Sequence, residues 1–137
     1  MILDIVPLGE PVLRKKAHKV TKIDTDIRKL ADDMLETMRD ANGVGLAAPQ
    51  IGQSIRLIVV EYTEPAENPE EEAEPTQTFQ LVNPEITWRS EETVMGIEGC
   101  LSIKGLVGEV ERAESVKIKA LNVHGRPIKV SASGWLA

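Results

Sequence analysis

Two short segments hold the residues whose types and spacing could do chemistry. The first is Gly43-Val44-Gly45-Leu46-Ala47-Ala48-Pro49-Gln50. Its glycines and alanines leave backbone uncovered, so a ligand could approach and pair with main-chain groups. Gln50 then offers an amide donor able to polarise a carbonyl oxygen. A plainer role, a helix end leading into a turn, accounts for Gly43 by itself. The second segment is Glu98-Gly99-Cys100-Leu101-Ser102, around the only cysteine of the chain. Three roles are open to Cys100: a small buried hydrophobe, a nucleophile, or a thiolate metal ligand. The last two need histidine or further ligands, and the chain has only His18, among Lys15, Lys16 and Lys19, and His124, in a turn sequence.

The elements that must position these segments are legible from periodicity. Ile27, Leu30, Ala31, Met34, Leu35, Met38 and Ala41 repeat at the three-and-four spacing of a one-sided apolar stripe, which predicts a helix from Asp24 to Ala41. Asp24 or Thr25 can cap its start, and Asn42-Gly43 can end it in the left-handed conformation. Ile55–Glu61 is β-branched and predicts a buried strand. Phe79–Val82 predicts another, with Asn83-Pro84 as a turn or edge signal, and Ile86–Val94 a third. Ser115–Asn122 alternates, with Val116, Ile118 and Ala120 on one face and Lys117 and Lys119 on the other; His124-Gly125 turns it into Pro127–Val130. Ser131 or Ser133 could cap a helix opening at Trp135, Leu136 and Ala137.

Composition bounds the rest. At 137 residues and 42% hydrophobic, the chain suits a single domain and is too apolar for wholesale disorder. No run reaches the roughly 20 apolar residues of a membrane helix, and no targeting segment is visible at the N-terminus. One cysteine excludes an internal disulfide framework and fits a reducing cytoplasm. The net charge of −6 is uneven: residues 61–74 carry seven glutamates and no base, so the remainder is nearly neutral. Residues 64–75 predict a solvated acidic loop within the domain. The sequence contains no run of Lys and Arg interleaved with aromatics, so nucleic acid is not an expected ligand.

Taken together, GVGLAAPQIG and EGCLSIKG resemble the first two motifs of the peptide deformylase family, G-φ-G-φ-A-A-x-Q and E-G-C-L-S. The likeness extends to LGEPVLRKKAHKV near the start, to LVNPEI, and to RAESVKIKALNVHGRPIKV, all in family order. The resemblance implies an α+β fold in which small antiparallel sheets surround a central C-terminal helix. It implies a metallohydrolase that removes the formyl group from the N-terminal formyl-methionine of nascent polypeptides. One cysteine and two histidines of a helical H-E-x-x-H would hold a divalent metal, ferrous iron or, in its place, nickel, cobalt or zinc. Such a metal lowers the pKa of its water from ~15.7 toward ~7, and the helix glutamate would move the proton. Carried onto this sequence, Cys100 is the metal ligand. Gln50 and the backbone N–H of Leu101 hold the oxyanion, Gly45 pairs with the peptide main chain, and Val44 lines the methionine pocket. Apart from the resemblance, the spacing of Glu98 and Arg112 predicts an ion pair behind the site.

Two departures qualify that expectation. No H-E-x-x-H occurs in residues 1–137, since Lys19 follows His18 and Gly125 follows His124. The expectation is therefore a C-terminally truncated domain with one recognisable ligand, inactive by itself and exposing an apolar face prone to self-association. Its alternative is a non-catalytic module that binds formyl-peptides or a nascent chain, with the ribosome as a further partner. Secondly, where many relatives read S-I-P-G-L-R-G, this chain has Ser102-Ile103-Lys104-Gly105-Leu106-Val107-Gly108, so Val107 replaces an arginine expected to help hold the peptide.

Overall fold

A computed structural model describes residues 1–64, 66, 68–72 and 75–137. The acidic loop expected over 64–75 falls partly outside the described residues.

The apolar stripe forms α1, Thr25–Asp40, with the Asp24 carboxylate accepting from the Ile27 N–H at 3.1 Å as its cap. Asn42 adopts φ 57° just beyond it, the left-handed conformation expected of the helix stop. Seven strands follow: β1 (Gly45–Ala47), β2 (Leu57–Tyr62), β3 (Gln77–Arg89), β4 (Thr93–Cys100), β5 (Ile103–Ala113), β6 (Ser115–Leu121) and β7 (Pro127–Ser133). Five make an antiparallel sheet in the order β1-β2-β3-β6-β7, and β4 and β5 form a separate hairpin. The architecture is α+β, as the resemblance implies. No helix among the described residues is long and apolar enough to cross a membrane.

The core lies where α1 covers the β1–β2–β3 end of the sheet. Ala31, Met34 and Met38 of α1 meet Leu46, Leu57, Val59 and Val82, all fully or almost fully buried. The alternation along β2 assigns the two faces. Leu57 and Val59 turn to the helix, while Ile58 and Val60 turn to the other side.

Two sequence expectations are adjusted. The strand at Phe79 does not stop at Asn83-Pro84 but runs through it, with a register shift between Val82 and Glu85. Asn83 takes φ 52° there, and its side chain brackets Val20, accepting from its N–H at 2.8 Å and donating to its C=O at 2.9 Å. The segment 86–94 is not one strand. It breaks at Ser90–Glu92, where the Ser90 hydroxyl donates to the Glu92 carbonyl, and the chain leaves the large sheet for the hairpin. At the C-terminal side, Gly134–Leu136 is a 3-10 turn with no side-chain cap from Ser133, and Trp135 packs on Tyr62 with ring centroids 5.2 Å apart. No C-terminal α-helix is present among the described residues.

Candidate functional site

The two motif segments meet. After β1 the chain makes a 3-10 turn, Ala48–Ile51, closed by Gly52 at φ 84°, and this turn carries Gln50. The hairpin turn between β4 and β5 carries Leu101 and Ser102, with Cys100 paired to Ile103 across it. Gln50 Nε2 lies 3.5 Å from Cys100 Sγ and 3.4 Å from Ser102 Oγ. The amide is oriented from its other end: Gln50 Oε1 accepts the Ala47 N–H at 3.0 Å, which fixes Nε2 as the atom facing the cysteine.

The N-terminal stretch ties the two segments together. The Val6 N–H donates to the Gln50 carbonyl at 2.7 Å, and the Leu8 N–H to the Ser102 carbonyl at 2.9 Å. Leu101 packs against Gly43 so closely that a Cβ there would lie 2.6 Å from Leu101 Cδ1. Glycine at this position is thus accounted for by the close approach; Asn42, not Gly43, takes the left-handed conformation at the end of α1, and the Gly43 N–H donates to the Met38 carbonyl at 2.9 Å. Behind the turn, Arg112 donates two hydrogen bonds to the Glu98 carboxylate, at 3.2 and 3.0 Å. The carboxylate raises the Arg112 pKa further above its already high value, first through that hydrogen bond and then through its charge. This is the ion pair expected from the spacing of the two residues.

These residues line an open groove of about 1550 Å³ between the large sheet and the hairpin. Val44, Gly45, Gln50, Cys100 and Leu101 border it, as do Ile86, Val107 and Trp135 from the other elements. β1 is the edge strand of the large sheet, bonded only to β2 among the described strands. It can therefore pair with an extended chain lying in the groove. Cys100 is an exposed free thiol.

The structure thus brings Val44, Gly45, Gln50, Cys100 and Leu101 together, and it leaves both histidines elsewhere. His18 lies in the N-terminal stretch as an isolated bridge partner of Ile55, and His124 lies in the β6–β7 turn. No group of three His, Cys, Asp or Glu side chains able to hold a metal occurs among the described residues. Cys100 supplies one donor, where a catalytic divalent site of thiolate and imidazole type takes three. The residues present do not by themselves fit a metal. Ser102 is the site residue that sequence reasoning missed. It is 7% exposed and both its hydroxyl and its carbonyl are used, but as part of E-G-C-L-S it carried no signal separate from the cysteine.

The family model for polypeptide deformylase matches residues 2–137. A peptide deformylase of Symbiobacterium thermophilum is 52% identical over 136 residues, 99% of this chain and 58% of that protein. One from Dictyoglomus thermophilum is 47% identical over 137 residues, covering 100% of this chain and 81% of the other. The chain thus spans little more than half the length of one curated relative and about four-fifths of the other. The Met-Ala-Ser-bound crystal structure of a peptide deformylase from Acinetobacter baumannii superposes with a TM-score of 0.88 at 38% identity, covering 98% of this chain and 86% of that one.

Proposed function

The chain belongs to the polypeptide deformylase family, and on that premise we propose that its groove receives the formylated N-terminus of a newly made polypeptide. The observation that carries this is the Gln50 amide held 3.5 Å from the Cys100 thiol beside an open edge strand. In this reading the substrate main chain pairs with Gly45 on β1 and its methionine side chain lies against Val44. The formyl oxygen accepts from Gln50 Nε2 and from the Leu101 N–H. Two fixed donors aimed at one oxygen favour the tetrahedral, negatively charged form over the planar amide. The Acinetobacter relative binds Met-Ala-Ser, the tripeptide that loss of a formyl group from formyl-Met-Ala-Ser would leave.

Family members depend on a divalent metal; Cys100 would be one ligand of ferrous iron, and the described residues bring no second ligand to it. Because the described residues bring only that ligand to the groove, we infer a peptide-binding deformylase domain without turnover of its own. The nascent chain, and through it the ribosome, is the partner this substrate implies, in a reducing cytoplasm that keeps Cys100 free.

Metal content by mass spectrometry, with formate release from formyl-Met-Ala-Ser measured alongside, tests the reading. The expected result is substoichiometric metal and no formate. Formate release that follows added ferrous iron and is lost in Cys100→Ala would show that two ligands of this chain have been overlooked, with His18 and His124 the first to replace. A second consequence is physical. Met95, Ile97, Leu106 and Val107 are all more than 60% exposed on the hairpin, enough apolar surface to drive self-association. Sedimentation should show a mean mass that rises with concentration, and a strictly monomeric chain at high concentration would refute it.

A further inference from the structure

Nine of the sixteen Lys and Arg residues lie in two stretches, 11–23 and 115–131, that contain no Asp or Glu. The fold places the two stretches side by side. Val20 is bracketed by the Asn83 side chain of β3, the strand that β6 pairs with on its other edge. A Cβ at Gly125 of the β6–β7 turn would lie 3.9 Å from Ile23 Cδ1.

Their charges gather on one face. Val82 and Leu121 are cross-strand partners, so the face of the sheet that meets α1 at Leu57 and Val82 continues through Leu121 to Lys119 and Lys117. It is apolar where α1 covers it and cationic beyond. Lys119 stands opposite Lys129 on β7. Glu85, opposite Lys119 on β3, accepts from it at 3.2 Å. The Asn83 N–H donates to the Arg56 carbonyl at 2.8 Å and the Asn83 side chain holds Val20, which brings Arg56 and Lys19 to this end of β3; the Glu85 carboxyl is held below its ordinary range first by that Lys119 bond and then by the charges of Lys19 and Arg56. Lys119, Lys19 and Arg56 thus act on one carboxylate, with Lys117 and Lys129 further along the same sheet. At the edge, Trp88 is 48% exposed with Lys117 Nζ 5.3 Å from its ring centroid. The other face of the same sheet, at Ile86 and Val116, lines the peptide groove, so an occupant of the cationic face leaves the groove open.

We propose that this face, built from Lys19, Arg56, Lys117, Lys119 and Lys129 with Trp88 at its rim, binds single-stranded RNA. A surplus of about four positive charges along one sheet face matches a phosphodiester backbone, and an exposed indole gives one base a stacking partner. The sequence argues against nucleic acid only because the cations and the tryptophan are dispersed along it; β-pairing gathers them. The choice of RNA over DNA rests on the deformylase reading, since formylated N-termini belong to chains emerging from an RNA-rich particle.

Fluorescence anisotropy with a labelled twenty-nucleotide poly(U) RNA tests it, alongside an equal oligo(dT) and vesicles containing phosphatidylserine. Expected are saturable RNA binding preferred over DNA and vesicles, and a log–log salt slope of about −3 for roughly four neutralised phosphates. The double reversal Lys19→Glu/Lys129→Glu should weaken binding at least tenfold and Trp88→Ala about fivefold or more, with melting curves like the parent's. Lys29→Gln, on α1, should change nothing. No RNA binding at low salt, binding indifferent to the reversals, or DNA or vesicles bound as well as RNA would each overturn the proposal. Formyl-peptide binding measured on the same samples separates its failure from failure of the deformylase reading.

Discussion

At the scale of single residues, the contact between Gly43 and Leu101 joins the two motif segments in the least space. Gly43→Ala puts a methyl 2.6 Å from Leu101 Cδ1 and 3.2 Å from its Cγ, so Leu101 must turn out of its place. Such overpacking costs about 1–3 kcal/mol. Urea unfolding should show that loss, and formyl-peptide affinity should fall with it because the Leu101 N–H shifts. Unchanged stability and affinity together would mean that the contact positions nothing. The sequence made this site legible through residue type: a glycine-rich stretch ending in an amide and a lone cysteine are chemically conspicuous wherever they lie. It could not show that Gln50 is aimed by the Ala47 N–H or that Ser102 is its second neighbour, because these depend on how two turns fifty residues apart meet.

Among elements, α1 and β2 are clamped at the rim of the core by Arg39 and Glu61, bonded at 3.0 and 2.6 Å. The Glu61 carboxyl is held below its ordinary value first by the Arg39 hydrogen bond and then by the Thr78 hydroxyl at 2.8 Å. A depressed folded-state pKa stabilises the fold above the ordinary glutamate value, near 4.5, and that contribution is lost as pH falls from there. The melting temperature should therefore drop between pH 5 and pH 3, and Arg39→Ala should drop less over the same window. An equal drop in the variant would place the acid sensitivity elsewhere. Helix and hairpin boundaries were readable from period and turn chemistry, since Asp24, Asn42 and Gly125 act locally. The path through Asn83-Pro84 was not. There the side-chain bracket on Val20, 63 residues away in sequence, lets the strand continue past a residue pair that locally signals its end.

On the scale of the whole molecule, one sheet presents two faces of different chemistry, a groove edged by β1 and the Cys100 turn and a cationic surface behind it. The family fold is present in these 137 residues, while no group of three His, Cys, Asp or Glu side chains able to hold a metal occurs among the described residues. The central claim is that the groove is a formyl-peptide site even without turnover. Its most direct test is a titration of the isotope-labelled chain with formyl-Met-Ala-Ser, followed by amide chemical shifts. The account predicts saturable changes at Val44–Ala47 and Leu101, about fivefold weaker in Gln50→Ala as one hydrogen bond of about 1 kcal/mol is lost. Shifts confined to other surfaces, or binding indifferent to Gln50→Ala, would contradict it.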